Sequence, residues 1–435
     1  MAPTFTDTAG EDPASPRYRA LGALLAGGPL SRAQLARSIG LAPSTITALV
    51  RSLMDEGVLI GVGPAGLADV KRSGPRGMAL ALNPALLATV GVDFGFRHVR
   101  VLICDLHANV LAVEQAELPV TYNKNEGIAS AARLVKDAIT SARVERQNVL
   151  GAGVALPGPI DINSQRVVDS DILPGWGGTV ADDFARAFNL PALLENDANL
   201  AALGEHIWGA GRGQATTITV KFHSGIGAGV IVNGELVSGT HGGAGEIGHI
   251  TIDPRGPLCR CGKRGCLETF ASVPAILDAM AAKHPDLAVA ELIQMLERDD
   301  PGALRVVGDA ATLVGQVVGS ASMLIAPDSV VVVGAMARGG NAVMAPLNDA
   351  VQRQALPGVA APDVIRGSLG DRHTALGATA LVLRHSGWLP RTTRAWPMPA
   401  DDPDITPHAR SRTQPPVGTC PHPLITRRAG IESRM

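Results

Sequence analysis

The chain has 435 residues, a hydrophobic content of 46%, a charged content of 18% and a formal net charge of −2. That balance is globular rather than disordered, leaves room for more than one core, and gives no chain-wide attraction to nucleic acid. With no run of eighteen apolar residues, and with acids and prolines where a secretory leader needs a basic flank and an apolar stretch, it predicts a cytoplasmic protein with no membrane partner, whose five cysteines stay reduced.

Residues 1–16 are expected to be disordered. YRALGALLAGGPL, 18–30, predicts a helix with Leu21, Leu24 and Leu25 on one face, ended by Gly27 and Gly28. SRAQLARSIG, 31–40, opens on Ser31 as an N-cap and stops at Gly40. LAPSTITALVRSLMDEGVLI, 41–60, puts Pro43 in the first turn and Ile46, Leu49, Val50 and Leu53 at helical spacing. Two short helices joined by a tight turn make a helix-turn-helix, whose second helix turns Ser44, Thr45, Thr47 and Arg51 outward as DNA contacts. VLIGVG and GMALAL are expected as the strands of a wing, with DVKRSGPRG, and so Lys71, Arg72 and Arg76, at its tip. Between residues 17 and 80 eight Lys or Arg stand against three acids, an excess of +5 that leaves −7 for the rest of the chain. Double-stranded DNA requires such a local basic patch. The alternative for this segment is a helical interaction module with a solvated charged face.

From residue 85 strands alternate with helices. LLATVGVDFG, HVRVLICDL and NVLAVEQAEL read as an antiparallel meander, EGIASAARLVKDAITSARV as an amphipathic helix, and NVLGAGVALPGPI as a buried strand ending in a Pro-Gly loop. PALLENDANLAALGEHIWGAG reads as strand, turn and helix. In TTITVKFHSGIGAGVIVNGELVSG, the pair Asn233-Gly234 between alternating apolar residues marks a two-residue hairpin. SVVVVGAMARGG is a late buried strand, and TALGATALVLRHSG a last helix able to pack back on the first lobe. Two copies of a strand-hairpin-helix unit predict a duplicated, two-lobed α/β protein with a cleft between its lobes.

HITIDPRGPLCRCGKRGCLE, 249–268, crowds three of the five cysteines, Cys259, Cys261 and Cys266, into eight residues after His249. One imidazole and three thiolates make a closed tetrahedral set suited to structural zinc. Gly256, Gly262 and Gly265 allow a tight loop, and Arg260, Lys263 and Arg264 offset the thiolate charge. A surface loop of free thiols is the alternative reading of the same residues.

Four motifs carry a resemblance over some 180 residues. CRCGKRGCLE, AGEIGH, LLENDANLAALGE and SGIGAGVIVNGELVSGTHGGAGEIGH resemble the zinc signature, the Glu-x-Gly-His element, the Asn-Asp loop and the long phosphate-loop signature of the ROK family, named for repressors, open reading frames and sugar kinases. With a winged helix-turn-helix ahead of it, the chain resembles the regulator branch. The resemblance implies an α/β, actin-like, two-lobed sugar-kinase (ribonuclease H-like) fold preceded by an all-α winged helix-turn-helix domain. It places that domain at 17–80 and the kinase-like domain at 85–388, with lobe I at about 85–200 plus 372–388 and lobe II at about 201–371. It assigns sugar contacts to Asn196, Asp197, Glu246, His249 and Glu268, zinc to His249, Cys259, Cys261 and Cys266, and phosphate or nucleotide contacts to Asp93, Gly95, Gly225, Gly227 and Gly334.

In kinases of the family the residue matching Asp197 takes the proton of the attacking sugar hydroxyl, a step worth roughly 10²–10⁴-fold. Read without the resemblance, the Asn196-Asp197 pair is plain helix capping. Such kinases carry an Asp-x-Gly-Gly-Thr type loop, whose small residues admit phosphate to the backbone. Here DFGFRHVR keeps Asp93 and Gly95 but puts Phe96 and Arg97 in place of the second glycine and the hydroxyl, and KFHS precedes Gly225 where smaller residues are usual. Degraded nucleotide handling with sugar binding kept is therefore expected. The function that follows is a sugar-responsive transcriptional regulator, a repressor, whose partners are operator DNA, a sugar or sugar-phosphate effector and further copies in a homodimer or homotetramer. The alternative is an ATP- and Mg²⁺-dependent sugar kinase with a fused DNA-binding domain. Residues 389–435, rich in Pro, Arg and Thr, are expected to be a disordered tail, and the irregular spacing of His408, Cys420 and His422 there argues against a second metal site.

Overall fold

The computed structural model describes residues 15–62, 79–83, 87–119, 122–168 and 172–389. Residues 1–14, the wing tip with Lys71, Arg72 and Arg76, and the segment 390–435 with His408, Cys420 and His422 lie outside the described residues.

The N-terminal unit has three helices, α1 (Pro16–Gly27), α2 (Arg32–Ile39) and α3 (Pro43–Asp55). Ser31 and Gln34 form a reciprocal capping box at the start of α2, and Gly40 ends it in the left-handed region with φ 64°. Pro43 sits in the first turn of α3, whose Ile46, Val50 and Leu53 are buried while Leu49 is half-buried. Helix α3 stops at Asp55, ahead of the wing strand expected from residue 58, because Gly57 takes φ 74° and the Gly57 and Val58 amides donate back to the Met54 and Leu53 carbonyls. The chain then enters β1 (Leu59–Val62), which pairs antiparallel with β2 (Ala79–Leu82) in a register of Leu59 with Leu82. Leu30 bridges to Leu80 at the edge of that ribbon. The unit is therefore helical with the two-stranded wing expected of VLIGVG and GMALAL, a β element that the label all-α leaves out. Its helix start is also earlier, at Pro16.

The rest is built on two five-stranded sheets of one topology. The first takes β3 (Ala88–Phe94), β4 (His98–Asp105), β5 (Val110–Glu117), β6 (Val149–Leu156) and β9 (Ala192–Asn196) in the order β5-β4-β3-β6-β9. Between them lie α4 (Lys124–Ser141), the small hairpin of β7 (Ile160–Asp161) and β8 (Arg166–Val167), and α5 (Ala181–Phe188). The second takes β10 (Thr217–Phe222), β11 (Ile226–Val232), β12 (Glu235–Leu236), β13 (Ser329–Val333) and β14 (Asp363–Arg366) in the order β12-β11-β10-β13-β14. In each sheet three antiparallel strands are followed by two parallel ones. The duplication read from the sequence is thus a repeat of strand order. Asn233 and Gly234, at φ 54° and 82°, make the two-residue turn between β11 and β12.

Helix α6 (Asp197–Trp208) leaves the first sheet from β9 and packs on β10 and β11 of the second. The second lobe is completed by α7 (Glu268–Ala271), α8 (Val273–Met280), α9 (Val289–Glu297), α10 (Pro301–Ile325) and α11 (Asn341–Gln354). The last helix, α12 (His373–His385), returns to pack on β3, β6 and α6. Helix α10 is the one helix among the described residues long and apolar enough to cross a membrane. Half of its apolar window is buried, with Val307, Ala311, Val314 and Val318 in the second-lobe core.

Three cores result. Phe94, Val154, Phe184 and Leu194 anchor the first lobe, and Val220, Phe222, Val332 and Met336 the second. A third cluster joins Leu24, Leu35, Val50 and Leu80 of the N-terminal unit to Leu200 and Leu203 of α6 and Val382 and Leu383 of α12. Trp388 and Leu389 are buried in that cluster, so folded chain extends through the first residue of the expected tail.

Candidate functional site

A cleft of about 1030 Å³ opens between the two sheets. Asp93, Gly95, Asn196, Asp197, Gly225, Gly227, Glu246, His249, Glu268 and Gly334, all named from the sequence, line it, together with Cys259.

Asn196 closes β9 and caps α6: its Oδ1 accepts from the Ala198 and Asn199 amides at 2.8 and 3.1 Å, and its Nδ2 donates to the Gly158 carbonyl at 3.0 Å. Most of its hydrogen-bonding capacity is thus spent on the backbone. Capping in turn fixes Asp197 in the first turn, facing the cleft. Its carboxylate is not free, because Lys221 Nζ of β10 donates to Asp197 Oδ2 at 2.7 Å, with both side chains 16% exposed. Burial alone would discharge Lys221, but the carboxylates of Asp197 and Asp93 raise its pKa. Burial would likewise protonate Asp93, yet Lys221, His98 and His373 hold its carboxyl well below the usual range. One ammonium therefore balances two buried carboxylates.

The first glycine loop has lost its openness. The His98 ring lies against Gly95, and its Nε2 is 3.8 Å from Asp93 Oδ2. Phe96 is half-buried at the loop and Arg97 is exposed. In the second loop the His223 Nδ1 accepts from the Ser224 amide at 2.7 Å. Burial, helped by the Lys221 charge, pushes the His223 pKa down to about 4 and that of His373 to about 3, so both rings are neutral near pH 7.

The metal-type cluster is assembled. Ligand atoms of His249, Cys259, Cys261 and Cys266 all lie within 4.8 Å of one another. Cys259 Sγ is 3.5 Å from His249 Nδ1, and Cys261 Sγ is 3.6 Å from Cys266 Sγ. A tetrahedral ion with metal–sulfur bonds of about 2.3 Å requires S–S edges of about 3.8 Å. The four residues fit a four-coordinate metal ion. Two isolated bridges, Thr251 with Cys266 and Leu258 with Arg264, pin the loop. A Cβ at Gly265, at φ 64°, would fall 1.5 Å from the Asp253 carbonyl oxygen, so only glycine fits that turn.

With Nδ1 turned to the sulfurs, His249 Nε2 points back to Glu246 Oε2 at 4.0 Å. Burial and the charges of Asp197 and Glu268 push the Glu246 pKa up to about 7. Glu268 opens α7 two residues after Cys266 and is bound at both oxygens: Arg260 meets Oε1 at 2.7 Å and the Ile226 amide donates to Oε2 at 3.1 Å. The carboxylates, amide and imidazole read from the sequence are therefore together. Lys221, Arg260, His98, His223 and His373 also line the cleft, and none of them was named as a site residue from the sequence. Lys221 and His223 stood out in the sequence through the bulk of KFHS, and Arg260 as a counter-charge to the thiolates.

In the N-terminal unit Ser44, Thr45, Thr47 and Arg51 are all exposed on α3, with the Thr47 hydroxyl donating to the Pro43 carbonyl at 2.8 Å. Two of the counted cations are used internally. Arg17 pairs with Glu56 at 2.7 Å, and Arg19 donates to the Ile39 carbonyl at the end of α2. Arg32, Arg37 and Arg51 remain exposed.

The ROK family matches residues 89–385, and a winged helix-turn-helix DNA-binding family matches residues 17–60. A xylose repressor of Bacillus spizizenii is 27% identical over 374 residues, 83% of this chain and 93% of its own. A glucokinase of Halalkalibacterium halodurans is 30% identical over 292 residues, 62% of this chain and 87% of its own. The crystal structure of a ROK family transcriptional regulator, a homologue of the E. coli MLC protein, superposes with a TM-score of 0.69 at 22% identity, over 86% of this chain and 96% of that one.

Proposed function

The chain belongs to the ROK family, and on that premise we propose that it is a sugar-responsive DNA-binding transcriptional regulator, acting as a repressor. Similarity to the repressor covers 83% of this chain and 93% of the repressor, whereas the glucokinase match covers 62% of this chain. Operator DNA is met by α3 through Ser44, Thr45 and Arg51, with the Thr47 side chain beside them, and by Lys71, Arg72 and Arg76. The effector is a sugar or sugar phosphate held by Asp197, Glu246, His249 and Glu268, with Asn196 serving chiefly to set Asp197. The metal is zinc. Held by His249, Cys259, Cys261 and Cys266, it fixes the cleft wall from which His249 and Glu268 project and supplies structural rigidity. Two copies in a homodimer, or a tetramer built from it, supply the paired recognition helices that DNA of two half-sites requires. The site of action is the cytoplasm.

One observation carries the reading against phosphoryl transfer: the carboxylate that would serve as base is already paired with Lys221 at 2.7 Å. A sugar hydroxyl would have to displace that ammonium before it could hand its proton to Asp197 Oδ2. The His98 ring fills the space beside Gly95, and the His223 ring takes the Ser224 amide, a backbone donor of the second loop that a phosphate would use. Purified protein mixed with ATP, Mg²⁺ and D-glucose, D-xylose or N-acetyl-D-glucosamine should give no ADP above background. In gel shifts the gene's own upstream DNA should be bound and the cognate sugar should alter that binding. Turnover abolished by Asp197→Ala would establish the kinase instead.

A further inference from the structure

We propose that Arg260 is a positioning residue that holds Glu268 in the sugar site and, by stacking on Phe96, ties sugar occupancy to closure of the cleft. The proposal rests on the reading of Glu268 as a sugar ligand.

Arg260 sits between Cys259 and Cys261, so the loop that would hold the metal fixes its backbone. Its side chain leaves that loop toward the cleft and does two things at once. One terminal nitrogen is 2.7 Å from Glu268 Oε1, and the guanidinium carbon lies 4.8 Å over the centre of the Phe96 ring. Phe96 belongs to the hairpin between β3 and β4, on the opposite sheet, so the guanidinium bridges the two lobes. A planar cation can stack with its face and hydrogen-bond with its edge, which an ammonium cannot. The pair also packs on Gly225: a Cβ there would meet Glu268 Oε2 at 3.0 Å and an Arg260 nitrogen at 3.1 Å. The glycine of the second loop thus leaves room for Arg260 and Glu268, where a kinase would leave room for phosphate.

The consequence is directional. With Arg260 on Oε1 and the Ile226 amide on Oε2, the Glu268 carboxylate has one orientation, and each oxygen keeps a lone pair for a sugar hydroxyl. A bound sugar fixes Glu268, Glu268 fixes Arg260, and Arg260 fixes the Phe96 hairpin of the other lobe. Loss of Phe96 should cut the last link and leave the sugar contact. Loss of Arg260 should cut both.

Full-length wild-type protein, Arg260→Lys, Arg260→Ala, Phe96→Leu and the double variant Arg260→Ala/Phe96→Leu provide the test. Without sugar, melting temperatures should be non-additive, the double variant losing no more than the larger single loss; additive losses would overturn the stacking contact. With D-xylose, D-glucose and N-acetyl-D-glucosamine in calorimetry, Arg260→Ala should weaken the bound sugar roughly tenfold or more, and Phe96→Leu by less than about threefold. In gel shifts on the gene's upstream DNA, Phe96→Leu should nonetheless require roughly tenfold more sugar for the same response. Arg260→Lys should recover sugar affinity and not the operator response, a split that a merely structural role would not produce. Wild-type affinity in Arg260→Ala, or a wild-type response in Phe96→Leu, would overturn the proposal while leaving the sugar site standing. If the wild type binds none of the three sugars, the sugar-site reading fails and takes the role of Arg260 with it, whatever the melting cycle shows.

Discussion

Lys221 carries the electrostatics of the cleft. It is the shared counter-ion of Asp93 and Asp197, and removing it strands two carboxylates in a poorly solvated place. Breaking such a pair on one side costs about 3–5 kcal/mol, well beyond what an exposed pair contributes. We expect Lys221→Met to lower unfolding free energy by about 3 kcal/mol in urea titrations, and Asp197→Asn, which leaves the ammonium one partner, to cost less. Sequence showed the two ends of this pair but not the pair. Lys221 stands out among small residues, yet the 24 positions to Asp197 pass through a helix and a turn whose geometry no local pattern fixes. Arg260 over Phe96, separated by 164 positions, is further beyond reach. The metal cluster was legible because its ligands are close in sequence and thiolates have few other uses at that spacing. Cys261→Ser should release the metal, seen by elemental analysis of the purified protein, and lower the Tm by about 10 °C.

At the level of single elements, legibility followed the range of the interaction. The α2 cap, the first-turn proline of α3 and the Asn-Gly turn are decided within four residues, and each stands where the sequence placed it. The end of α3 is equally local: Gly57 stops the helix, and the strand expected over VLIGVG begins at Leu59. Ser31→Ala, which removes the capping box, should cost about 1 kcal/mol and weaken operator binding with no change in sugar affinity, since α2 buttresses the recognition helix. Helices α6 and α12, which pack on each other, carry His206 and His373, both buried. Burial depresses their pKa values to about 4 and about 3, so they stay neutral in the fold while the unfolded chain binds protons below about 6.5. The unfolded state then holds the extra protons, and stability must drop as the pH is lowered. The contribution is complete above pH 6.5 and erodes toward pH 4, by at most about 1.4 kcal/mol per pH unit for each ring. Denaturant midpoints at pH 7.5, 6 and 5 should decline in that order, and less steeply in His206→Gln.

For the whole molecule, α6 matters most. Asp197 stands at its first turn in the cleft, while Leu200 and Leu203 share a buried cluster with Leu24, Leu35, Val50 and Leu80 of the DNA-binding unit. Any shift of α6 on sugar binding must repack that cluster, because close-packed interiors move between discrete arrangements and do not deform freely. Two recognition helices in a dimer must meet grooves about 34–36 Å apart, so a small rotation at this joint changes the fit. The two-lobed architecture was readable from the repeated strand pattern. This junction was not, because it arises where helices distant in sequence converge on one apolar patch.

Coupling of this kind is reciprocal: a sugar that changes operator affinity by some factor must have its own affinity changed by the same factor when operator is bound. The decisive measurement is therefore paired. The affinity for upstream DNA is measured with and without each of D-xylose, D-glucose and N-acetyl-D-glucosamine, and the sugar affinity is measured with and without that DNA. We expect one sugar to shift operator affinity roughly tenfold or more, with a matching shift in its own affinity. Operator affinity unchanged by a sugar that demonstrably occupies the cleft would contradict the account.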